Sequence, residues 1–312
     1  MICTFDQLFA EAQAISQGPD GRIRVVIAGG HDDAALSALL EAYELGLADG
    51  LLVGDTIKIH QQLEKLSPAN LNKFDIVDVK DEFEICKRAM EAIHWNEAQI
   101  VLKGKVKTAS LLKAAFDPQT GLRSGRLISD IFLFEFPGRQ DENKLLIITD
   151  GGFNLAPDLK EKVQIIENAV QVAHALGNDN PKVAVLSAVE TINPNMQSAV
   201  DAAILSKMND RGQITGCVVD GPLALDNALS EEAAAMKGIH SSVAGHADVL
   251  LCPTIESANM LAKGTIYFAG LRLAHATMGA KAPVLIPSRS DTKDSKLMTI
   301  ALNVIIAHNM KS

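Results

Sequence analysis

Short runs of Val, Ile and Leu recur along the chain, and stretches with helical spacing separate most of them. The runs are RVVIA (24–28), GLLV (50–53), QIVL (99–102), LLIIT (145–149), KVAVL (182–186), GCVV (216–219), DVLLC (248–252) and APVLI (282–286). Apolar residues occupy consecutive positions in these runs, so both faces of each strand must be covered. Between them, stretches such as Asp32 to Leu47 and Pro157 to Leu176 place apolar residues at helical intervals. Buried strands alternating with amphipathic helices predict an α/β fold built on parallel sheets.

At 312 residues the chain exceeds the usual size of one compact core, which predicts two α/β domains. The rhythm breaks at Gly121 to Pro137 (GLRSGRLISDIFLFEFP), where a polar loop precedes LLIIT. Polar stretches between apolar strands are where a chain crosses between lobes. The boundary is therefore expected at Gly138 to Lys144. The expected organisation is a discontinuous first domain, residues 1–140 with 281–312, and a second of residues 141–280. If the last strand and helix return to the first lobe, a cleft lies between the lobes and the segment after APVLI lines it.

A hydrophobic content of 47% with 21% charged residues describes an ordered globular interior. The formal net charge of -9 repels nucleic acid and anionic membrane. Any anionic ligand must therefore meet a local cluster of Lys, Arg or backbone N–H. No apolar run reaches the roughly 18 residues of a transmembrane helix, and the start MICTFDQLFAEAQ carries acids where a signal peptide needs a basic region. A cytoplasmic location is expected, with neither nucleic acid nor membrane as partner. Cys3, Cys86, Cys217 and Cys252 show no C-x-x-C or Cys/His ligand spacing, so structural zinc is not expected. Cys217 and Cys252 lie in apolar runs and read as small buried hydrophobes.

Residues with useful chemistry concentrate after the strands. APVLIPSRSDTKD ends a strand and delivers Ser288, Arg289, Asp291 and Asp294 within one short stretch. In an open α/β sheet, ligands bind beyond the carboxyl ends of strands. The same segment also reads as a polar turn whose Asp294 caps the following helix. Lys103 and Gly104, with Lys105 and Lys107, follow QIVL and precede a helix over Ser110 to Phe116. They suit an anion, although the Walker A spacing is absent, and a solvated lysine loop is the alternative. Arg123, Ser124, Gly125 and Arg126 offer guanidiniums suited to bidentate phosphate contact.

Asp150-Gly151-Gly152-Phe153-Asn154 ends LLIIT, where the glycines permit close approach to a ligand or simply a tight βα turn. Gly29-Gly30 after RVVIA lacks the G-x-G-x-x-G spacing of a dinucleotide site. Asp220-Gly221-Pro222 ends GCVV, and Pro253, Glu256 and Asn259 follow DVLLC. If a helix begins there, Glu256 and Asn259 share a face; capping by Glu256 is the structural alternative. Among the eight histidines none has a second ligand at metal spacing, so no metal site is expected. His246, in VAGHADVL, stands out among them.

Taken together, VLKGKVKTASLLKA, GLRSGRLISDIFLFEFP, ITDGGFNLAPDL, DGPLALDNA, SSVAGHADVLLCPTIESANM and APVLIPSRSDTKD resemble the phosphate acetyl/butyryltransferase family, and more closely its butyryltransferase-like branch. The resemblance implies reversible acyl transfer between an acyl phosphate and coenzyme A. It also implies a two-domain α/β fold related to the isocitrate and isopropylmalate dehydrogenases, in a homodimer or higher homo-oligomer. Coenzyme A and acyl-coenzyme A, phosphate and acyl phosphate are the implied partners, with no resident cofactor. The family's serine-arginine pair falls on Ser288 and Arg289. Its catalytic aspartate falls on Asp294, with Asp291 as competitor, and its second phosphate-binding arginine falls on Arg126. The candidate substrate-binding set is Arg126, Lys103, Gly104, Asp150, Asn154, Glu256, Asn259, Met278 and Gly279.

A free thiol, with a pKa of about 8.5, is mostly protonated near neutral pH and needs a base. Asp294 is expected to be that base, Ser288 to aim the sulfur, and Arg289 to hold the phosphate. Direct transfer in a ternary complex is expected, so no cysteine is assigned as nucleophile. The acyl group is expected to be butyryl or acetyl, because one methylene in an apolar pocket is worth only about 1–3 kcal/mol. A metal- and nicotinamide-dependent dehydrogenase on the same fold is the alternative. It would need Asp150, Asp220 and Glu256 to converge on a divalent cation. A catalytically weak partner subunit is a third reading, opposed by the complete Ser288, Arg289 and Asp294 set.

Overall fold

The computed structural model describes residues 1–19, 21–137, 144–287 and 292–310. It divides into two compact units, a central one of residues 1–5 and 127–273 and a terminal one of residues 6–126 and 274–312. In chain order the first stretch holds α1 (Phe5–Gln17), β1 (Arg24–Ala28), α2 (Asp33–Glu44), β2 (Asp49–Gly54), α3 (Thr56–Leu66), β3 (Asp75–Asp78), α4 (Glu82–His94), β4 (Ile100–Lys103) and α5 (Thr108–Ala115). Then come β5 (Ser129–Phe136), β6 (Lys144–Thr149), α6 (Leu159–Ala175), β7 (Lys182–Leu186), α7 (Gln197–Asp210), β8 (Val218–Leu223), α8 (Leu225–Leu229), α9 (Glu231–Met236), β9 (Val249–Leu251), α10 (Ile255–Tyr267) and β10 (Leu273–Met278). The chain closes with β11 (Val284–Leu285) and α11 (Lys293–Asn309).

The terminal unit is built on a five-stranded sheet in the order β11-β4-β1-β2-β3, with every pair parallel. From β1 the chain steps outward through β2 to β3, and β4 then returns to the other side of β1. This makes the β1/β4 boundary the switch point where ligand crevices form. Val25, Val26, Ile27 and Ala28 of β1 are wholly buried, as a central strand covered on both faces requires. Asp32, Asp55 and Asp81 start α2, α3 and α4 by accepting backbone N–H bonds in the first turn. α11 is buried without interruption from Leu297 to Ala307 and packs on α2 and β4. Such a helix is apolar on nearly every face because none meets water, with Thr299 and Asn303 as the polar exceptions.

In the central unit β5, β6, β9, β7 and β8 lie side by side in that order in one sheet. β6, β9, β7 and β8 pair in parallel, but β5 is antiparallel to β6, from Ile131 opposite Thr149 to Phe136 opposite Lys144. The expectation of wholly parallel sheets is thereby corrected. Only Pro137 to Asn143 separates these strands, whereas a parallel crossover needs a dozen or more residues. The expected boundary, Gly138 to Lys144, falls largely outside the described residues, since 138–143 are not among them; β5, which precedes it, packs with β6 in the central unit.

β8 also departs from expectation, running through Asp220, Gly221 and Pro222 to Leu223 instead of ending before them. It is the outermost strand, where a proline costs no ladder bond, and its register on β7 shifts between Ala184 and Leu186. Phe134, Leu146, Ile148, Leu223, Val243 and Leu250 form the centre of this unit's core. Among the described residues no helix is long and apolar enough to cross a membrane.

Candidate functional site

In the terminal unit the segments after β1, β4 and β11 leave the same carboxyl edge, because those strands are parallel neighbours. Beyond β4, Gly104 N–H donates to Ala28 O and Lys105 N–H to Gly29 O, each at 2.9 Å. A Cβ on Gly104 would lie 2.3 Å from Gly29 O, and one on Gly29, whose φ is +85°, would lie 2.6 Å from Lys105 N. The glycines are thus demanded by one loop pressing on another. Lys103 is half-buried, and its Nζ reaches Gly104 O at 3.4 Å.

Ser288, Arg289 and Asp291 lie outside the described residues. Asp294 stands exposed in the first turn of α11, where a negative charge is favoured by the helix dipole. The capping alternative is corrected here, since Thr292 is the N-cap and its Oγ1 accepts from Ser295 N–H at 3.1 Å. A hydroxyl two residues earlier takes the amide, so the carboxylate is not committed to capping.

Arg126, Met278 and Gly279 are brought together. Met278 ends β10 and is buried, and the carbonyl of Gly279 accepts the Ser124 hydroxyl. Arg126 N–H donates to Ser124 Oγ at 3.1 Å across Gly125, whose φ of +87° lets the chain fold back. Lys281 N–H donates to Leu122 O at 2.8 Å, and Arg123 bridges to Ala280. Two segments that no local pattern connects are stitched over several residues. Within β10, His275 N–H donates to Thr299 Oγ1 at 3.2 Å and Asn303 Nδ2 donates to His275 O at 3.0 Å, tying β10 to α11.

In the central unit Asp150 is buried and organises the loop after β6. Its Oδ1 accepts from Asp130 N–H at 2.9 Å, Gly152 N–H at 3.0 Å and Phe153 N–H at 3.3 Å. Its Oδ2 accepts from Asn154 N–H at 2.9 Å and from Asn154 Nδ2 at 2.6 Å. Asn259 closes the network by donating from Nδ2 to Gly151 O at 3.0 Å. A Cβ on Gly151 would meet the Phe132 ring at 2.4 Å, and one on Gly152 would meet Asp130 Oδ2 at 2.6 Å. The tight turn alone therefore accounts for the glycines, while Asp150 and Asn154 of the loop are joined by Asn259 of α10. Nothing in the local sequence marks Asp130 and Phe132 as the reason.

Glu256 and Asn259 both lie on α10, three residues apart. Glu256 is exposed and is not the cap, because Thr254 and Ser257 form the capping box. Its carboxyl is held below the usual range by its own backbone N–H and by the Thr254 hydroxyl. Asp220 Oδ1 accepts from Ser206 Oγ at 3.2 Å and Gly221 N–H at 2.8 Å. Asp150 thus serves its loop, Asp220 accepts within β8 and from α7, and Glu256 lies on α10. Among the described residues no three His, Cys, Asp or Glu side chains are grouped to hold a metal ion.

His246 Nε2 lies 3.4 Å from Glu231 in a largely exposed pair. The cysteines are free thiols, and burial pushes Cys86 and Cys217 up to about 11 and Cys252 up to about 12. Thiols held that high carry almost no thiolate near neutral pH, which disfavours Cys86, Cys217 and Cys252 as nucleophiles.

Residues 83–304 match a family model described as phosphate acetyl/butaryl transferase. The chain is 42% identical over 311 residues to the phosphate butyryltransferase of Clostridium beijerinckii, covering 100% of each chain. It is 42% identical over 284 residues to the phosphate acetyltransferase of Thermotoga maritima, covering 91% of this chain and 95% of that one. In three dimensions it is similar to a branched-chain phosphotransacylase from Enterococcus faecalis V583, with a TM-score of 0.81 and 31% identity over 92% of this chain and 99% of that one.

Proposed function

Because the chain belongs to the phosphate acetyl/butaryl transferase family, we propose that it moves a short-chain acyl group, butyryl or acetyl, between coenzyme A and phosphate. The observation that carries this is the end-to-end likeness to the phosphate butyryltransferase of C. beijerinckii, which leaves no stretch of either chain unmatched. The catalytic work falls to residues of the terminal unit. Asp294, with its helix capped by Thr292, takes the proton of the coenzyme A thiol. Ser288 aims the sulfur at the acyl carbonyl, and Arg289 grips the phosphate and offsets charge on it as it departs.

Transfer is direct within a ternary complex. The sulfur bonds to the acyl carbon, the acyl–phosphate C–O bond breaks with its electron pair on the phosphate oxygen, and the thiol proton rests on the carboxylate. No resident cofactor enters the scheme. Arg126, Lys103, Gly104, Met278 and Gly279, with the Asp150 to Asn154 loop, Glu256 and Asn259, are assigned to substrate binding. The same proposal carries an isocitrate/isopropylmalate dehydrogenase-like fold, a homodimer or larger assembly and a cytoplasmic setting.

The test is release of coenzyme A thioester from acetyl, propionyl, butyryl and branched-chain acyl phosphates assayed side by side. Butyryl phosphate is expected to be turned over, and Asp294→Asn and Arg289→Ala are each expected to cut turnover by about 10²–10³ while leaving the fold intact. No thioester from any acyl phosphate would overturn the function. Full activity in both variants would overturn the residue roles.

A further inference from the structure

The terminal unit gathers a histidine and two lysines at its switch point beyond the residues assigned above. His31 follows Gly29-Gly30 at the carboxyl end of β1, Lys105 follows Gly104 beyond β4, and Lys58 stands in the first turn of α3, just past β2. β4, β1 and β2 are consecutive in the sheet, so the three side chains arise from adjacent strand ends. Backbone bonds fix their spacing: Lys105 N–H donates to Gly29 O at 2.9 Å, and the N–H groups of Gly29 and Gly30 donate to Val53 O at 2.9 and 3.0 Å. The β1 loop is thus held to the β4 loop on one side and to β2 on the other.

The environment of His31 is unusual. Burial, then the charges of Lys58 and Lys105, hold its imidazole below the usual range, against the opposing pull of Asp55 and Asp32. Both carboxylates serve helix caps, Asp32 accepting from Ala35 N–H at 3.0 Å and Asp55 from Ile57 N–H at 3.1 Å and Lys58 N–H at 3.3 Å. Asp55 also lies 3.6 Å from Lys58 Nζ. The Nδ1 atom of His31 is buried and has no hydrogen-bond partner. A buried polar atom left unpaired is unfavourable, so a nitrogen kept in this state at the ligand-binding edge of a sheet points to a group that completes it.

Resting on the acyl-transfer reading, we propose that His31, Lys58 and Lys105 form a subsite for the phosphate groups of the coenzyme A nucleotide. A chain of net charge -9 needs such a local cluster to hold a polyanion. Position selects the nucleotide over the acyl phosphate. Asp294 enters from α11, which follows β11, and β11 and β2 stand three steps apart in the sheet. At roughly 4.8 Å per step the subsite runs along the edge from about 5 Å at Lys105, past His31, to about 14 Å at Lys58. A small acyl phosphate cannot span that distance, whereas the pantetheine arm of coenzyme A, with its thiol at one end and its phosphates at the other, can. Lysines suit this task, being mobile point charges where the transferred phosphate calls for the planar fork of arginine.

The experiment compares the full chain with Lys58→Ala, Lys105→Ala, the double variant and His31→Ala, using coenzyme A, dephospho-coenzyme A and butyryl phosphate. The double variant is expected to raise KM for coenzyme A about tenfold or more, leaving KM for butyryl phosphate and kcat nearly unchanged, and to lose most of the salt dependence of coenzyme A binding. A smaller effect with dephospho-coenzyme A locates the contact at the 3′-phosphate, and an equal effect locates it at the diphosphate; both support the subsite. An unchanged KM for coenzyme A in the folded double variant, or a rise confined to butyryl phosphate, overturns it. Calorimetric titration with coenzyme A needs no turnover, so an undiminished affinity in the variant rejects the subsite even if acyl transfer itself is absent.

Discussion

The hydroxyl of Ser124 donates to the backbone carbonyl of Gly279, 155 positions further along the chain. The same oxygen accepts from Arg126 N–H, so a single side chain both shapes the arginine turn and fastens it to the end of β10. Ser124→Ala should lower stability by about 0.5–1.5 kcal/mol in urea unfolding. It should also raise KM for the acyl phosphate, because Arg126 loses the turn that presents it. Ser124→Thr, which keeps the hydroxyl, should restore both, and an alanine variant with wild-type KM would separate Arg126 from substrate binding.

Asp150 accepts every amide that the loop from Gly152 to Asn154 directs inward, together with Asp130 N–H. Asp150→Asn replaces one acceptor oxygen with a donor facing other donors. A loss of about 1–3 kcal/mol is expected. A denaturation midpoint equal to that of the parent would show that the loop keeps its form without the carboxylate.

Lys162 and Asp201 form a buried pair between α6 and α7, with Nζ 2.5 Å from Oδ2 and side chains only 6% and 8% exposed. Gln197 Nε2 adds a bond to Asp201 Oδ1 at 2.7 Å. Removing one partner strands a charge, so Lys162→Met should cost about 3–5 kcal/mol, whereas Lys162→Met with Asp201→Leu should cost less than either alone. Simple addition of the single losses in a double-mutant cycle would refute this coupling.

The buried thiols give an alkaline signature. Cys86 and Cys217 are raised from 9.0 to about 11 and Cys252 to about 12. A raised value means that the unfolded chain sheds these protons first, so the stabilisation is complete below pH 9 and is lost as pH climbs toward 12. Unfolding free energy should therefore fall steadily above pH 9. At pH 8 an aromatic disulfide reagent should label Cys3 rapidly and the other three only after denaturation; fast labelling of all four in the native protein would contradict their burial.

The strands show what local pattern carries. RVVIA and KVAVL coincide with β1 and β7 residue for residue, because a strand buried on both faces must be apolar at consecutive positions. β3 reads DIVD and is largely exposed at a sheet edge, so it needs no such run and leaves little trace. β10 reads LAHATM and is buried, and the backbone N–H and carbonyl of its His275 pair with the side chains of Thr299 and Asn303, which no reading of β10 alone can anticipate.

At the strand ends the division is similar. Which residues lie there was legible, since βα turns must follow the strands, and so was their chemical type. Their duties were decided elsewhere. Thr292, and not Asp294, caps α11, and Thr254 with Ser257 caps α10 in place of Glu256. The glycines after β4 and β6 answer to Gly29, Phe132 and Asp130 across the loop.

By itself the sequence determined the α/β class, the positions of the central strands and the family to which the chain belongs, because periodicity and ordered motifs are properties of neighbours along the chain. Only tertiary structure decided that β5 runs against β6, that Ser124 meets Gly279, and that His31 feels the charges of Lys58 and Lys105 while its buried Nδ1 has no hydrogen-bond partner. Those outcomes depend on hydrogen bonds and charges between residues far apart in the chain, whose distances exist only once the backbone has closed.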